Sequence, residues 1–513
     1  MVVKLFGATL SGAEPHIIEV EVDITRSVLP AFNIVGLPDT AIKESKERIR
    51  NAIINSNFSF PTDRITVNLA PADLKKEGSH LELAIALGII FSLENYSVKL
   101  DNFCVLGELS LDGEVRSIRG ILPIVMLLKE KGIKNIILPV ENSESASIIS
   151  GINIFPVKNF KETYLFLKGE YKIKSVYKKL DRNIFFNYPE ELDFSEVKGQ
   201  IFAKKALEVA AAGGHNVLMI GSPGAGKTML AKRLPTILPP LTFEEALETS
   251  KIYSLAGLLN RDFPIVTMRP FRAPHHTVSE IALIGGGSNP KPGEVSLAHN
   301  GVLFLDELLE FNRKVLEVLR EPLENGKVRI SRIMKSVEFP ARFMLVAAMN
   351  PCPCGNFGDK TKQCSCTPYQ IQRYLNKLSQ PLLDRIDIHL RIQSLTIGEI
   401  TQKKSEESSK NIRERVIAAR KIQQKRFAGT NIYCNAQMTN KMVDEFCQID
   451  SDAQRYLENI LETKGLSARA YFKILKIART IADLYGEKRI TKSHIAQSCQ
   501  YRILDRRENL FYE

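Results

Sequence analysis

Hydrophobic and polar positions divide the chain into three regimes. In residues 1–167 short β-rich runs, Ile18 to Val22, Arg64 to Leu69 and Ile136 to Val140, alternate with stretches of helical period, Ala41 to Asn55, His80 to Phe91 and Leu122 to Lys131. Strand and helix signals that take turns in this way predict an α/β domain. Residues 168–193, polar and rich in Lys and Tyr, show no clear period and are expected to form a linker. From 194 to 395 the order is helix, apolar strand, glycine-rich turn, helix, then further apolar strands, which predicts a parallel sheet flanked by helices. Residues 396–513 carry several amphipathic periods and almost no strand signal, so a small helical lid is expected there.

Composition narrows the class. A chain of 513 residues exceeds the size at which one core keeps growing, and 44% apolar with 25% charged residues is ordinary for a globular protein. The longest apolar stretch, Leu83 to Phe91, is about half of the roughly 20 residues that a membrane-spanning helix needs, so it reads as a buried helix. Met1 to Ser11 offers no signal-peptide pattern, and a cytoplasmic location is expected. The formal charge of +12 is compatible with a polyanionic partner without requiring one.

Three strand ends carry the candidate chemistry. The apolar run Asn216 to Ile220 leads into Gly221, Ser222, Pro223, Gly224, Ala225, Gly226, Lys227 and Thr228, followed by helix-forming Met229 to Leu234. Glycines let backbone amides turn inward around phosphates, the lysine reaches the β and γ phosphates, and the Thr228 hydroxyl ligates magnesium. ATP and Mg2+ are the implied ligands. A second apolar strand, Val302 to Leu305, ends in Asp306 and Glu307, read as the metal-side acid and the base that activates water. A third, Phe343 to Ala348, ends at Met349 and Asn350, whose amide can orient the lytic water or act as a plain turn former. Arg385, between Asp384 and Asp387, and Arg469, at the start of the amphipathic helix Tyr471 to Tyr485, are candidates to stabilise phosphoryl charge. Spacing alone favours a local ion pair for the first and equally allows a surface position for the second.

This ordered set resembles the magnesium-chelatase-like AAA+ ATPases, and over most of the chain it resembles their YifB/ComM family. The supporting stretches are Val197 to Gln200 (VKGQ), Arg269 to Thr277 (RPFRAPHHT), Gly285 to Gly287, Pro292 to His299 (PGEVSLAH), Asn350 to Gly355 (NPCPCG) and Ala478 to Leu484 (ARTIADL). The resemblance implies an AAA+ core with a C-terminal helical lid. It also implies a homo-hexameric ring and a DNA branch-migration helicase of recombination or natural transformation. Under it Val197, Gly199 and Gln200 line the adenine pocket, Arg385 acts in trans and Arg469 in cis, and Ile284 to Glu294 is the insertion projected into the pore. A chelatase-type or protein-remodelling motor without DNA activity is the competing reading. The N-terminal domain resembles the proteolytic domain of Lon through Gly107 to Val115 and Gly132 to Asn142. His80 falls where its serine belongs and Ile124 where its lysine belongs. Without nucleophile and base no acyl-enzyme can form, so this module is expected not to be a protease.

Two further features stand outside that pattern. Cys352, Cys354, Cys364 and Cys366 supply four thiols just after Asn350, enough for a closed tetrahedral zinc site or for reduced surface thiols. The adjacent His275 and His276 are not counted as ligands. Lys403 to Phe427 holds nine Lys or Arg against three Glu; Ile412, Val416 and Ala419 recur at helical spacing, leaving Arg413, Arg420 and Lys421 on other faces as either a DNA-backbone contact or a solvated helix face.

Overall fold

The structure is a computed structural model that describes residues 2–96, 102–177, 184–185, 188, 192–259, 262–287, 290–332, 335–359, 362–396, 398 and 406–505. The N-terminal domain is built on a mixed seven-stranded sheet, in the order Ala31–Val35, Arg64–Ala70, Glu14–Thr25, Val3–Ser11, Phe103–Val105, Asn135–Pro139, Asn153–Val157. Along Arg64–Ala70 every second side chain is buried, the period of a strand with one face on a core. The core partner is Glu82–Leu93, a helix apolar on all sides and buried over nearly its whole length, which accounts for the uninterrupted apolar run in the sequence.

The second domain is a five-stranded, all-parallel sheet in the order Phe271–Arg272, Val302–Leu305, Met344–Met349, Val217–Gly221, Ile388–Ile392. Its strands are continuous apolar runs because both faces are covered. Val217, Met219 and Phe304 face one hydrophobic cluster, while Leu218, Ile220 and Leu305 face another. The carboxyl ends of Val217–Gly221, Val302–Leu305 and Met344–Met349 therefore converge on one edge, which is where the three candidate motifs sit. Together with the helices that follow, this is the AAA+ fold.

The lid comprises Ser409–Arg426, Asn440–Phe446, Ser451–Lys464, Ala468–Tyr485 and Lys492–Gln500. Its centre is a polar knot. Buried Asp483 accepts from Arg426 at 2.8 Å, from Arg479 at 3.1 Å and from Asn435 at 2.8 Å. Losing one partner of such a buried charge costs about 3–5 kcal/mol, so the knot ties three segments of the lid together. The same packing corrects the solvated or DNA-facing reading of the basic run for its arginines, while its described lysines stay solvated. Residues 403–405 lie outside the described residues, and the described helix spends its arginines internally. Arg420 is buried and donates to the Ala211 and Ala212 carbonyls at 2.9 and 3.1 Å. Arg413 donates to Thr236 O at 2.7 Å and lies 3.7 Å over the Tyr188 ring, while Arg415 pairs with Glu208 and Glu407. Lys410, Lys421 and Lys425 remain exposed.

The N-terminal domain is seated on the core. The Gly120 amide donates to Ser254 O at 3.0 Å, and Gly12, in the turn between the first two strands, rests on Val337 of the hairpin formed by Lys327–Arg332 and Lys335–Pro340. The segment 168–193 is described only in part, and some of its described residues anchor it to the body while Tyr171 and Tyr177 are exposed. Val176 bridges to Ile154, and Phe185 is buried with Ile148, Leu241 and Ile265. Within Ile284 to Glu294, Gly285–Gly286 pairs antiparallel with Lys291–Pro292, and residues 288–289 lie outside the described residues. Gly285, at φ +108°, stands so close to the Lys291 carbonyl that a Cβ has no room. Among the described residues no helix is long and apolar enough to cross a membrane.

Candidate functional site

Gly221 ends its strand, and the loop that follows turns through two left-handed glycines, Gly224 at φ +83° and Gly226 at φ +92°, into the helix Lys227–Arg233. Left-handed residues without a Cβ let successive amides point to one side, the geometry that accepts a phosphate. The Lys227 ammonium donates to the carbonyls of Gly221 and Ser222 at 2.5 and 3.0 Å and to Asn350 Oδ1 at 3.1 Å. Burial lowers the pKa of Lys227, and the carboxylates of Asp306 and Glu307 oppose that shift. The Thr228 hydroxyl donates to Asp306 Oδ2 at 2.7 Å, so the two proposed magnesium-side oxygens already share one locus.

Glu307 follows at φ +51°, a left-handed position, with its side chain exposed. Its carboxylate lies 3.7 Å from His276 Nδ1, and the His276 ring is 4.0 Å from that of His275. Adjacency is wrong for metal ligation, and on sequence neither histidine counts as a ligand. The structure nonetheless brings His276 to the candidate base, and its place in the RPFRAPHHT stretch is the available signal. On the far side of the loop, Gly199 and Gln200 are both left-handed, at φ +55° and +53°. Gln200, which caps the helix Ile201–Gly213, donates from Nε2 to Ala225 O at 3.3 Å and Gln393 O at 2.7 Å, and Val197, three residues before it, is buried. The segment from Val197 to Gln200 thus borders the phosphate loop.

Arg385 and Arg469 lie elsewhere. Asn216, the residue before the phosphate-loop strand, donates its side-chain amide to Arg385 O at 3.0 Å. Arg385 therefore sits at the amino edge of the sheet, and the five-residue strand puts about 16 Å between that edge and the loop. Its guanidinium pairs with Glu324. Arg469 donates to Asp384 at 3.1 Å, beside Arg385, on the helix Ala468–Tyr485 capped by Ser467. The assignment of Arg469 to its own chain's phosphates is corrected accordingly: the lid packs so that the two arginines share one cavity of about 790 Å³ at the edge away from the phosphate loop.

The four thiols converge. Cys352 Sγ lies 3.4 Å from Cys354 Sγ and 3.7 Å from Cys364 Sγ, Cys354 and Cys364 are 3.6 Å apart, and all four sulfurs fall within 4.8 Å of one another. Tetrahedral zinc with Zn–S of about 2.3 Å has sulfurs about 3.8 Å apart. Hydrogen bonding from the Asn356 backbone lowers the Cys354 thiol to about 5, whereas burial pushes Cys352 up to about 12.

In the N-terminal domain His80 is buried and its ring N–H donates to Arg119 O at 3.0 Å, while Ile124 is wholly inside an apolar cluster. The Ser79 hydroxyl donates to Glu108, and the buried Lys76 ammonium is held by Pro71 O, so the two do not form a dyad.

Comparison with known proteins matches this layout. Three family models match parts of the chain: magnesium chelatase, subunit ChlI, over 193–400; subunit ChlI of Mg-chelatase over 20–142; and magnesium chelatase, subunit ChlI C-terminal, over 406–502. Competence protein ComM of Haemophilus influenzae is 43% identical across 96% of both chains, and YifB of Salmonella typhimurium 42% identical across 95% of this chain and 94% of its own. The chain belongs to the YifB/ComM magnesium-chelatase-like family. Lon protease 2 of Bacillus subtilis is 28% identical over 163 residues, 28% of this chain. For this family member, ATP and magnesium are the implied ligands, and the loop from Gly221 to Thr228 with Asp306 fits them.

Proposed function

We propose that the chain is an ATP-hydrolysing ring motor that acts on DNA in the cytoplasm, a branch-migration helicase or translocase. The observation that carries the hydrolytic part is the convergence of Lys227, Thr228, Asp306, Glu307 and Asn350 on one edge of the sheet. Lys227 draws the transferred phosphate toward Asn350, whose amide orients the attacking water, and Glu307 accepts that water's proton. Magnesium, when bound, neutralises charge on the β and γ phosphates. Arg385 and Arg469, at the opposite edge, complete the site of a neighbouring copy, which makes a closed ring, a hexamer, the working unit. The DNA reading rests on likeness to a competence protein and on the +12 charge, without the arginines of Ser409–Arg426 that the lid uses itself. The cysteine cluster holds structural zinc.

ATPase rate measured with single-stranded, duplex and branched DNA should rise most with branched DNA, and binding should weaken steeply with salt. Unchanged rate and unchanged assembly with every DNA would refute the DNA reading while leaving the ATPase intact. The N-terminal module is non-proteolytic: purified chain should leave casein whole. Degradation that disappears on Ser79→Ala would overturn this.

A further inference from the structure

The loop that begins at Asn350 carries the four thiols, and it touches the phosphate loop directly. Gly355, at φ +80°, packs on Pro223, where an added Cβ would stand 2.5 Å from Pro223 Cδ. The Phe357 amide donates to Cys352 Sγ at 3.3 Å, and Asp359 accepts from Ser394 Oγ at 2.7 Å, next to Gln393, whose carbonyl receives Gln200. Three contacts thus run from the thiols to the lysine partner Asn350, to Pro223 and to the adenine side. A cation bound by all four sulfurs would tie Cys352 and Cys354, beside Asn350, to Cys364 and Cys366, ten or more positions further along the same loop.

We propose that the tetrathiolate centre is a clamp on the nucleotide site. Zinc bound by Cys352, Cys354, Cys364 and Cys366 sets the loop that seats Gly355 against Pro223 and Asn350 against Lys227, so nucleotide affinity follows metal occupancy. The inference rests on the zinc reading above and adds the coupling.

The test uses the full chain and measures zinc by atomic emission together with the Kd of a fluorescent non-hydrolysable ATP analogue. Wild type should carry zinc, and stripping it with a chelator should weaken the analogue by about tenfold or more, with recovery when Zn2+ is returned. Cys364→Ser with Cys366→Ser should lose both zinc and affinity and should not recover. Gly355→Ala keeps every thiol; it should retain zinc and still lose affinity, and it decides the matter where stripping denatures the chain. Wild-type affinity in stripped protein, or in zinc-loaded Gly355→Ala, overturns the clamp. Protein grown with ample zinc and purified without any overturns the zinc reading instead.

Discussion

Glu307→Gln is expected to lower ATP turnover by at least about a hundredfold while the Kd for nucleotide stays within about twofold of wild type. The two side chains have the same shape, and Glu307 is exposed at the strand end with no part in the Lys227 or Thr228 contacts. What changes is the capacity to take a proton. Steady-state phosphate release and equilibrium binding separate the two quantities. If turnover survives, the proton goes elsewhere, and His276 at 3.7 Å becomes the group to replace next.

Arg385→Ala is expected to reduce turnover by about a thousandfold, the scale of losing an arginine that stabilises phosphoryl charge. The placement of Arg385 at the amino edge of the sheet makes a sharper forecast possible. Chains carrying Arg385→Ala keep an intact phosphate loop, and chains carrying Lys227→Ala keep an intact Arg385. Each alone should be inactive. Mixed together, they should regain measurable hydrolysis, since one lends its arginine to the loop of the other. Mixtures as inactive as their components would mean that Arg385 serves its own chain or none.

The parallel sheet and the order of its motifs are legible because both-face burial writes itself as apolar runs. Each run leads to a residue whose chemistry suits a phosphate site, with Lys227 beyond Ile220, Asp306 beyond Leu305 and Asn350 beyond Met349. The helix Glu82–Leu93 is legible for the same reason. What one sequence does not show is which arginine goes where. Arg420 and Lys421 are neighbours with the same charge, yet one is buried against the Ala211 and Ala212 carbonyls and the other is exposed, a difference decided by a helix more than two hundred positions away. Arg469, by its place in the lid, invites assignment to its own phosphates. The lid's packing puts it beside Asp384 instead, and nothing local to Ser467 or Ala470 encodes that. The approach of His276 to Glu307 is hidden in the sequence because the two stand on different segments, Glu307 at the end of the strand Val302–Leu305.

The seat of Gly12 on Val337 gives the N-terminal module a mechanical part. The core's hairpin meets a seven-stranded plate at its flank. Any displacement of that hairpin has to carry the plate along or slide beneath it, so the two domains are joined as neighbouring parts of one body at this seat rather than tethered only through the segment 168–193.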